Sequence, residues 1–244
     1  MAVLNKYAAA LHVVERITLS NDGSILDERT FPPSLLDELV KGLQALPALR
    51  RISLETRPEF ITMAWLDRLR ESSVKAVLDF LVGLETVDDR LRQVVLGKSV
   101  ARTSFENALD MLASYPNVAV TSYILVKPAR EMTDQDALDE ACATIDYLHK
   151  QTLARGLPLS IRLNPMYVAP GTLWGADATE RGYVAPRLSD VLAAARHAEK
   201  LKVPSYIGLS SEGIPGEHAT YRDREDFNKT LLKEAIAWNR SQRG

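Results

Sequence analysis

The sequence predicts an α/β fold in which parallel strands curl into an incomplete barrel with a polar interior. Several short segments alternate apolar and polar residues. Successive side chains of a strand point to opposite faces, so each segment has one apolar and one polar side. Helical patterns separate the segments, which is typical of βα units and a parallel sheet. A flat parallel sheet covered on both faces would read as continuous apolar runs, so the alternation favours a curled sheet with helices outside.

The strands are predicted from this alternation, taken in chain order. In the first, Ile17 and Leu19 lie opposite Thr18 and Ser20. Apolar residues at every second position mark the segments at 51–55, 118–127 and 159–164 in the same way, and 75–85 and 205–209 are predicted as strands from their places between helical patterns. The predicted strands are 15–20, 51–55, 75–85, 118–127, 159–164 and 205–209.

The helices are predicted from apolar stripes and from residues that start helices. Pro32 and Pro33 open a helix whose leucines follow one stripe, and Thr133 caps a later helix. Pro170-Gly171 marks a loop. The remaining predicted helices are a helix tail at 5–12, a helix near 63–70, and helices over 189–201 and 225–239.

Two sequences resemble capping boxes, in which side chains satisfy the first backbone N–H groups of a helix. Thr86 with Asp89 predicts a short helix that Gly97 closes, and Thr103 with Glu106 opens the next helix.

Composition places the chain among ordinary globular proteins. It has 244 residues, 30 basic against 32 acidic residues, and 46% hydrophobic residues. No basic stripe is evident in the sequence. This argues against a stand-alone nucleic-acid binder, and we expect no DNA partner. No apolar run is long enough to span a membrane, and the segment Met1–Ala10 is too weakly apolar and basic for a signal peptide, so we expect a cytoplasmic protein.

No linker of low-complexity composition interrupts the chain. We therefore expect one partial-barrel domain over 1–244, with a helical extension at about 210–244.

Metal chemistry has few candidate ligands in this sequence. Cys142 is the single cysteine, which excludes an intramolecular disulfide and an all-cysteine metal site. It lies in a predicted helix beside Ala141 and Ala143, which favours a packed side chain. The four histidines show no zinc-binding spacing, so no metal site is expected.

Polar residues gather where the predicted strands end. In (β/α) barrels the loops after the strands form the active face. Helix caps and turns would explain Asp22, Ser24 or Thr86 taken singly. Charged groups pointing into a barrel need partners, so a structural ion-pair network is the alternative for the others. The groups are Asn21, Asp22, Gly23 and Ser24; Glu55 and Arg57; Glu85 and Thr86; Lys127; and Asn164 and Met166, with Arg162 on the same polar face.

Four of these exits resemble segments of radical SAM barrels of the Elongator/MiaB/NifB-like type. The nearest group is the one that contains the radical SAM subunit of archaeosine synthase, a tRNA-modifying enzyme. The resemblance covers roughly residues 12–175, in order and at matching spacing. The segments are ITLSNDGSILDERTF at 17–31, ETRPEFI at 55–61, VGLET at 82–86 followed by Asp88, Asp89, Leu91 and Arg92, and YILVKP at 123–128.

The resemblance implies an S-adenosylmethionine site. Residues 21–24 would hold the amino end of the cofactor, Glu55 and Arg57 would lie beside its carboxylate and the substrate, and Glu85 and Thr86 would contact the ribose. Tyr123 and Leu125 would line the adenosine side, and residues 164–166 would approach the adenine. The cofactor-binding residues expected in this way are Asn21, Asp22, Gly23, Ser24, Glu55, Arg57, Glu85, Thr86, Tyr123, Arg162, Asn164 and Met166.

The sequence departs from the family at its defining element. Radical SAM enzymes carry a C-x₃-C-x₂-C loop after the first strand, which supplies three thiolates to a 4Fe–4S cluster. A chain with one cysteine offers no such set. We expect that the first strand and the cluster loop are missing and that this chain is inactive alone.

Three functions stay open at this point. The first is the core of a radical SAM enzyme, acting on RNA through other domains or subunits. The second is a non-catalytic barrel that binds a nucleoside or S-adenosylmethionine, or serves as a partner subunit. The third is a cluster-independent enzyme with Lys127 as a Schiff-base nucleophile and Glu55 or Glu85 as proton carrier. Glu55, Arg57 and Lys127 are the catalytic candidates.

Overall fold

The computed structural model describes Tyr7 and residues 11–21, 23–72, 75–209 and 217–242. Its strands form one six-stranded sheet in which each strand lies beside its neighbour in sequence. This order follows from βα units, since each helix returns the chain to start the next strand alongside the last. The strands are Arg16–Leu19 (β1), Arg51–Thr56 (β2), Val77–Glu85 (β3), Val118–Val126 (β4), Leu159–Pro165 (β5) and Ser205–Ile207 (β6).

At least one helix follows every strand of the described chain. A short π-helical turn, Leu91–Val95, comes directly after β3, and 3₁₀ turns lie at Pro58–Phe60 and Tyr221–Asp223. The α-helices are Pro33–Leu43 (α1), Met63–Glu71 (α2), Arg102–Ala113 (α3), Asp134–Leu153 (α4), Leu173–Glu180 (α5), Leu188–Lys200 (α6) and Lys229–Ser241 (α7).

The strands pair in parallel, which confirms the predicted fold class. Ile17 of β1 lies opposite Ile52 of β2, Ile52 opposite Leu78 of β3, and Ile161 of β5 opposite Ser205 of β6. A closed (β/α) barrel has eight strands, so six parallel strands in chain order form an incomplete barrel of this class.

The chain divides into two compact units, each built from separate stretches of sequence. Unit 1 comprises residues 1–83, 103–121 and 151–158, and unit 2 comprises 84–102, 122–150 and 159–244. In unit 1, α1 buries Leu36 and Val40. In unit 2, α6 buries a row of apolar residues that includes Val191.

All six strands lie where the sequence predicts them, but several helix starts differ. The predicted cap at Thr133 is confirmed, because its hydroxyl accepts from the Asp136 N–H at 3.1 Å, and Asp136 in turn accepts from the Thr133 N–H at 2.9 Å. α3 begins at Arg102, so Thr103 lies inside the helix. The last helix begins at Lys229, four residues later than predicted, because Asn228 caps it. Most of the predicted 5–12 helix lies outside the described residues.

One helix was not predicted at all. α5 follows directly after the expected Pro170-Gly171 loop. It is short, and only Gly175 and Ala178 are buried, so it lacks the stripe of large apolar residues that marks a surface helix.

Candidate functional site

Glu85 ends β3 in an unusual backbone conformation. Its φ angle is +70°, in the left-handed region that side chains other than glycine rarely adopt. The side chain is buried and forms an ion pair with Lys98, whose own side chain is about half exposed. Such conformations persist only when the surrounding structure enforces them, and they cluster at functional sites.

Thr86 is fully buried and is held by α4. Its hydroxyl donates to Glu140 Oε1, which also accepts from the Val87 N–H at 3.1 Å. Thr144, one turn further along α4, donates to the same oxygen at 2.8 Å and accepts from the same Val87 N–H at 2.8 Å. The loop after β3 is therefore fixed by two side chains of α4.

The predicted capping role of Thr86 is wrong. Asp88 supplies the carboxylate that accepts from the Leu91 N–H at 2.9 Å, at the start of the π-helical turn. Thr86 instead accepts from the Asp88 N–H at 3.1 Å, so its hydroxyl is part of the turn before the helix. Gly97, with a φ angle of +63°, lies just after this segment, as expected for a residue that ends a helical turn.

Arg92 is buried completely although it carries a charge. Its guanidinium donates to the Val100 carbonyl at 2.8 Å and to the Thr86 carbonyl at 2.6 Å, and it forms an ion pair with Asp89. A buried cation is tolerated only when its donors are satisfied, which these contacts achieve. Arg92 therefore joins the two ends of the loop that follows β3.

Lys127 lies just after β4, also with a positive φ angle, +65°. Its side chain is buried, and its amine forms an ion pair with Asp134 at 2.8 Å. Its carbonyl accepts from the Tyr183 hydroxyl at 2.8 Å. A nucleophilic role for this amine would require the ion pair to open.

Tyr123 and Arg162 are brought together on neighbouring strands. The Arg162 guanidinium lies over the Tyr123 ring, 5.8 Å from its centre, and Arg162 is exposed while Tyr123 is half-buried. This distance is within the range of a cation–π contact.

Asn164 and Met166 line a cavity of about 370 Å³ in unit 2, where β5 and β6 end. Leu125 and Pro165, which the resemblance also places at the cofactor, line the same cavity. Its wall includes Trp174, whose ring packs against the Tyr183 ring in an edge-to-face arrangement with 5.1 Å between the ring centres. The further lining residues that concern the site are Gly208, Glu217, Tyr221 and Arg222.

One wall of this cavity is formed by residues 217–222, which follow β6 and include the start of the 3₁₀ turn at Tyr221–Asp223. His218 pairs with Val168 in an antiparallel bridge, with N–H to carbonyl distances of 2.8 and 3.1 Å. The Tyr221 hydroxyl and the Arg222 guanidinium both donate to the Leu209 carbonyl. The segment is thereby attached to the β5 exit and to the end of the last strand.

Glu217 carries an unsatisfied buried atom in this wall. Its Oε2 is shielded from solvent and accepts no hydrogen bond from the described residues. An unpaired buried carboxylate oxygen is costly, and this one belongs to a residue that lines the cavity.

Three of the expected residues of the first loop satisfy one another within unit 1, and Asp22 lies outside the described residues. Asn21 accepts from the Gly23 N–H at 3.2 Å and donates to the Ser24 carbonyl at 3.3 Å. The buried Ser24 hydroxyl lies 2.6 Å from the Thr56 hydroxyl. These contacts are those of a turn, which fits the alternative interpretation of the loop.

Glu55 and Arg57 also belong to unit 1. Glu55 is half-buried, and its carbonyl accepts from the Ile25 N–H at 2.9 Å, which fixes the first loop against β2. Arg57 is half exposed and pairs with Glu59 at 2.5 Å.

A buried carboxylate on β3 was missed in the sequence. Asp79 accepts from the Ser53 hydroxyl at 2.9 Å and from Thr121 at 3.0 Å, and Arg51 lies 3.6 Å away. The polar sides of three adjacent strands therefore meet in one hydrogen-bonded cluster inside unit 1. A charged residue at the polar position of the alternating pattern was the available signal.

The residues of this chain do not fit an iron–sulfur cluster. Cys142 is half-buried on α4, and burial, followed by the charge of Asp146, raises the pKa of its thiol. Among the described residues, no group of three His, Cys, Asp or Glu side chains could hold a metal ion.

Comparison with known proteins relates the chain to archaeal proteins. No family model matches it. Archaeosine synthase subunit beta of Methanosarcina acetivorans is 27% identical over 212 residues, which cover 82% of this chain and 57% of that protein. The same subunit of Thermococcus kodakarensis is 22% identical over 99% of this chain and 74% of its own length. An uncharacterized protein of Methanocaldococcus jannaschii is 21% identical over 90% of this chain and 58% of its own length.

The fold has a counterpart among solved structures. The Elp3 protein of Methanocaldococcus infernus superposes with a TM-score of 0.63 at 11% identity, over 99% of this chain and 57% of that one. The chain therefore spans less than three fifths of that structure and of two of its curated relatives.

Fold and site together define a parallel (β/α) protein with a cavity at its strand exits. Within that class, the chain is similar in sequence to archaeosine synthase subunit beta and in fold to Elp3, which confirms the resemblance recognised from its motifs. No helix in the described part of the chain is long and apolar enough to cross a membrane.

Proposed function

We propose that this chain is the S-adenosylmethionine-binding core of a radical SAM-type protein that acts in tRNA modification. The observation that carries the proposal is the cavity of unit 2. It lies against Leu125, Asn164 and Met166, the residues that the family resemblance assigns to the adenosyl group, and its lining includes Glu217, whose carboxylate has an unpaired oxygen.

The chemistry of the cavity suits a nucleoside. Its volume of about 370 Å³ lies within the range of small-molecule sites, which are mostly apolar with a few polar groups. Trp174 and Tyr221 offer flat apolar surface for a base, and Asn164 offers an amide that can both donate and accept. Glu217 offers an acceptor for ribose hydroxyls. When bound, S-adenosylmethionine supplies an activated sulfonium group, while these residues orient its nucleoside part and exclude water.

Redox chemistry is not assigned to these 244 residues. A 4Fe–4S cluster needs cysteine thiolates, and Cys142 is the single cysteine. Any cluster ligands would have to be provided by residues outside this sequence, so we derive no step through a cluster.

An RNA substrate and a partner chain are supported by the relatives. Two of them carry the name archaeosine synthase subunit beta, and the family that the motifs resemble modifies tRNA. A subunit acts with another chain, so we propose that a partner supplies contacts to RNA that a chain of net charge −2 does not provide alone.

Calorimetry with S-adenosylhomocysteine tests the proposal. We expect the purified chain to bind this ligand, and Glu217→Gln to weaken binding about tenfold, because a hydrogen bond to a charged group is lost. Glu234→Gln is the matched control, since Glu234 is a carboxylate of the same unit that pairs with Arg196 on the surface. A folded chain that binds no S-adenosylhomocysteine at millimolar concentration would refute the proposal.

A non-catalytic nucleoside-binding subunit is the second candidate, and the single cysteine favours it. The two candidates differ when a cluster-bearing partner protein and a reductant are added. The enzyme hypothesis then expects cleavage of S-adenosylmethionine to 5′-deoxyadenosine, whereas the binding subunit leaves the ligand intact.

A further inference from the structure

Asp134 is the centre of an ion cluster beside the cavity. It is the first residue of α4, and its side chain is mostly buried. One carboxylate oxygen pairs with the Lys127 amine at 2.8 Å. The side chain of Lys127 is 6% exposed, so this ion pair is largely screened from water.

The second oxygen of Asp134 binds two arginines from other segments. Arg224 NH2 lies 2.9 Å away and Arg187 Nε also lies 2.9 Å away. Asp226 pairs with both arginines, at 3.3 and 3.2 Å. Arg224 also donates to the Ala185 carbonyl at 3.3 Å. One carboxylate thus joins the β4 exit, the start of α6 and the segment that follows the 3₁₀ turn.

This last segment is continuous with the cavity wall. Arg224 comes two residues after Arg222 and three after Tyr221, both of which line the cavity. The far end of the wall is held by the bridge between His218 and Val168. The wall is therefore fixed at one end by two backbone hydrogen bonds and at the other by Asp134.

Lys127 also connects the cluster to another part of the cavity lining. Its carbonyl accepts from the Tyr183 hydroxyl, and the Tyr183 ring packs against Trp174. Trp174 lines the cavity, and Tyr183 belongs to the small apolar core on which Met166 packs. The side chain of Lys127 thus supports the segment after β6 through Asp134, and the Lys127 carbonyl supports the part of the lining that contains Trp174.

We propose that Asp134 is a positioning residue that holds the segment 217–226 as a wall of the nucleoside cavity, with Lys127 and Arg224 as its partners. Without this carboxylate, the charges of Lys127, Arg187 and Arg224 would lose the partner that they share, and Asp226 pairs with the two arginines but with Lys127 in no described ion pair. This loss would release the segment, because a buried charge left without its partner is strongly destabilising. The role in ligand binding rests on the proposed function, whereas the attachment of the segment does not.

Hydrogen exchange tests the attachment without any ligand. In Asp134→Asn and in Arg224→Met, we expect the amides of Val168 and His218 to exchange at least about tenfold faster than in the original chain. Amides of β2 in unit 1 should keep their rates. Arg224→Lys, which restores the charge, should recover part of the protection. Asp146→Asn is the matched control, because Asp146 pairs with His197 away from this segment.

A second readout follows Trp174 directly. In a background with Trp65→Phe and Trp238→Phe, Trp174 is the sole tryptophan, and we expect Asp134→Asn to increase its quenching by acrylamide. Unchanged exchange and unchanged quenching in both Asp134→Asn and Arg224→Met would overturn the inference. If the Val168 and His218 amides exchange faster in the variants but the chain binds no S-adenosylhomocysteine, the proposed function is refuted, whereas the attachment of the segment by Asp134 is supported.

Discussion

Asp134 and Asp190 show how position decides the effect of a carboxylate. Burial raises the pKa of Asp134, but the hydrogen bonds and charges of Lys127 and Arg224 outweigh it, so the pKa lies below its ordinary value. Burial also raises the pKa of Asp190, and the nearby charge of Asp134 raises it further. The same ion cluster therefore contains one carboxylate that favours the folded state when ionised and one that opposes it.

The two residues should respond oppositely to neutralisation. Above the ordinary carboxyl pKa, Asp134 contributes stability, and that contribution is lost as the pH falls through its lowered pKa. Asp190 imposes its cost as the pH rises through its raised pKa. At pH 7 we expect Asp134→Asn to lower the free energy of unfolding by about 2 kcal/mol, and Asp190→Asn to leave it unchanged or raise it slightly. Urea denaturation at neutral and acidic pH measures both, and a loss of similar size in the two variants would contradict this assignment.

At the scale of elements, two glycines determine how closely segments approach around the cavity. A Cβ on Gly175 would collide with the Ala169 carbonyl oxygen at the start of α5. A Cβ on Gly208, after β6, would lie 2.7 Å from Asn164 Oδ1. The first clash is with backbone and the second with the end of a side chain, so their consequences should differ.

This difference gives a matched pair of variants. We expect Gly175→Ala to cost about 1–3 kcal/mol, because α5 must shift to relieve the clash. Gly208→Ala should cost less and should instead weaken S-adenosylhomocysteine binding, because Asn164 is pushed from its position in the cavity. Thermal denaturation and calorimetry separate the two effects. A Gly208→Ala variant that binds the ligand normally would argue against a ligand contact by Asn164.

The sequence was most informative about strands and least informative about what supports their ends. Alternation located four of the six strands, and the end of the fifth predicted strand brought Asn164 and Met166 to attention, which line one cavity. Asp134 and Glu140 were missed because helix residues acquire their partners only through tertiary packing. Glu217 carried no pattern of its own, since its place in the wall comes from the bridge between its neighbour His218 and Val168, which lies 50 residues earlier in the sequence.

At the scale of the whole molecule, the cysteine content limits the chemistry of this chain. Reconstitution of the purified chain with iron and sulfide should yield no stable 4Fe–4S cluster, because one thiol offers a third of the ligands that the family uses. Absorption and electron paramagnetic resonance spectra measure this. Cys142→Ala should leave the spectra unchanged, and a stable cluster that survives in this variant would show that other residues of the chain bind iron.

The interleaving of the two units bears on how the chain folds during synthesis. Neither unit is a continuous stretch, since residues 103–121 and 151–158 return to the first after parts of the second have been made. The first unit can close only once residue 158 has left the ribosome, and the second must then wait for β6 and α7. A nascent chain halted between β4 and β5 would hold two unfinished cores at once, and at that stage we expect it to depend most on chaperones.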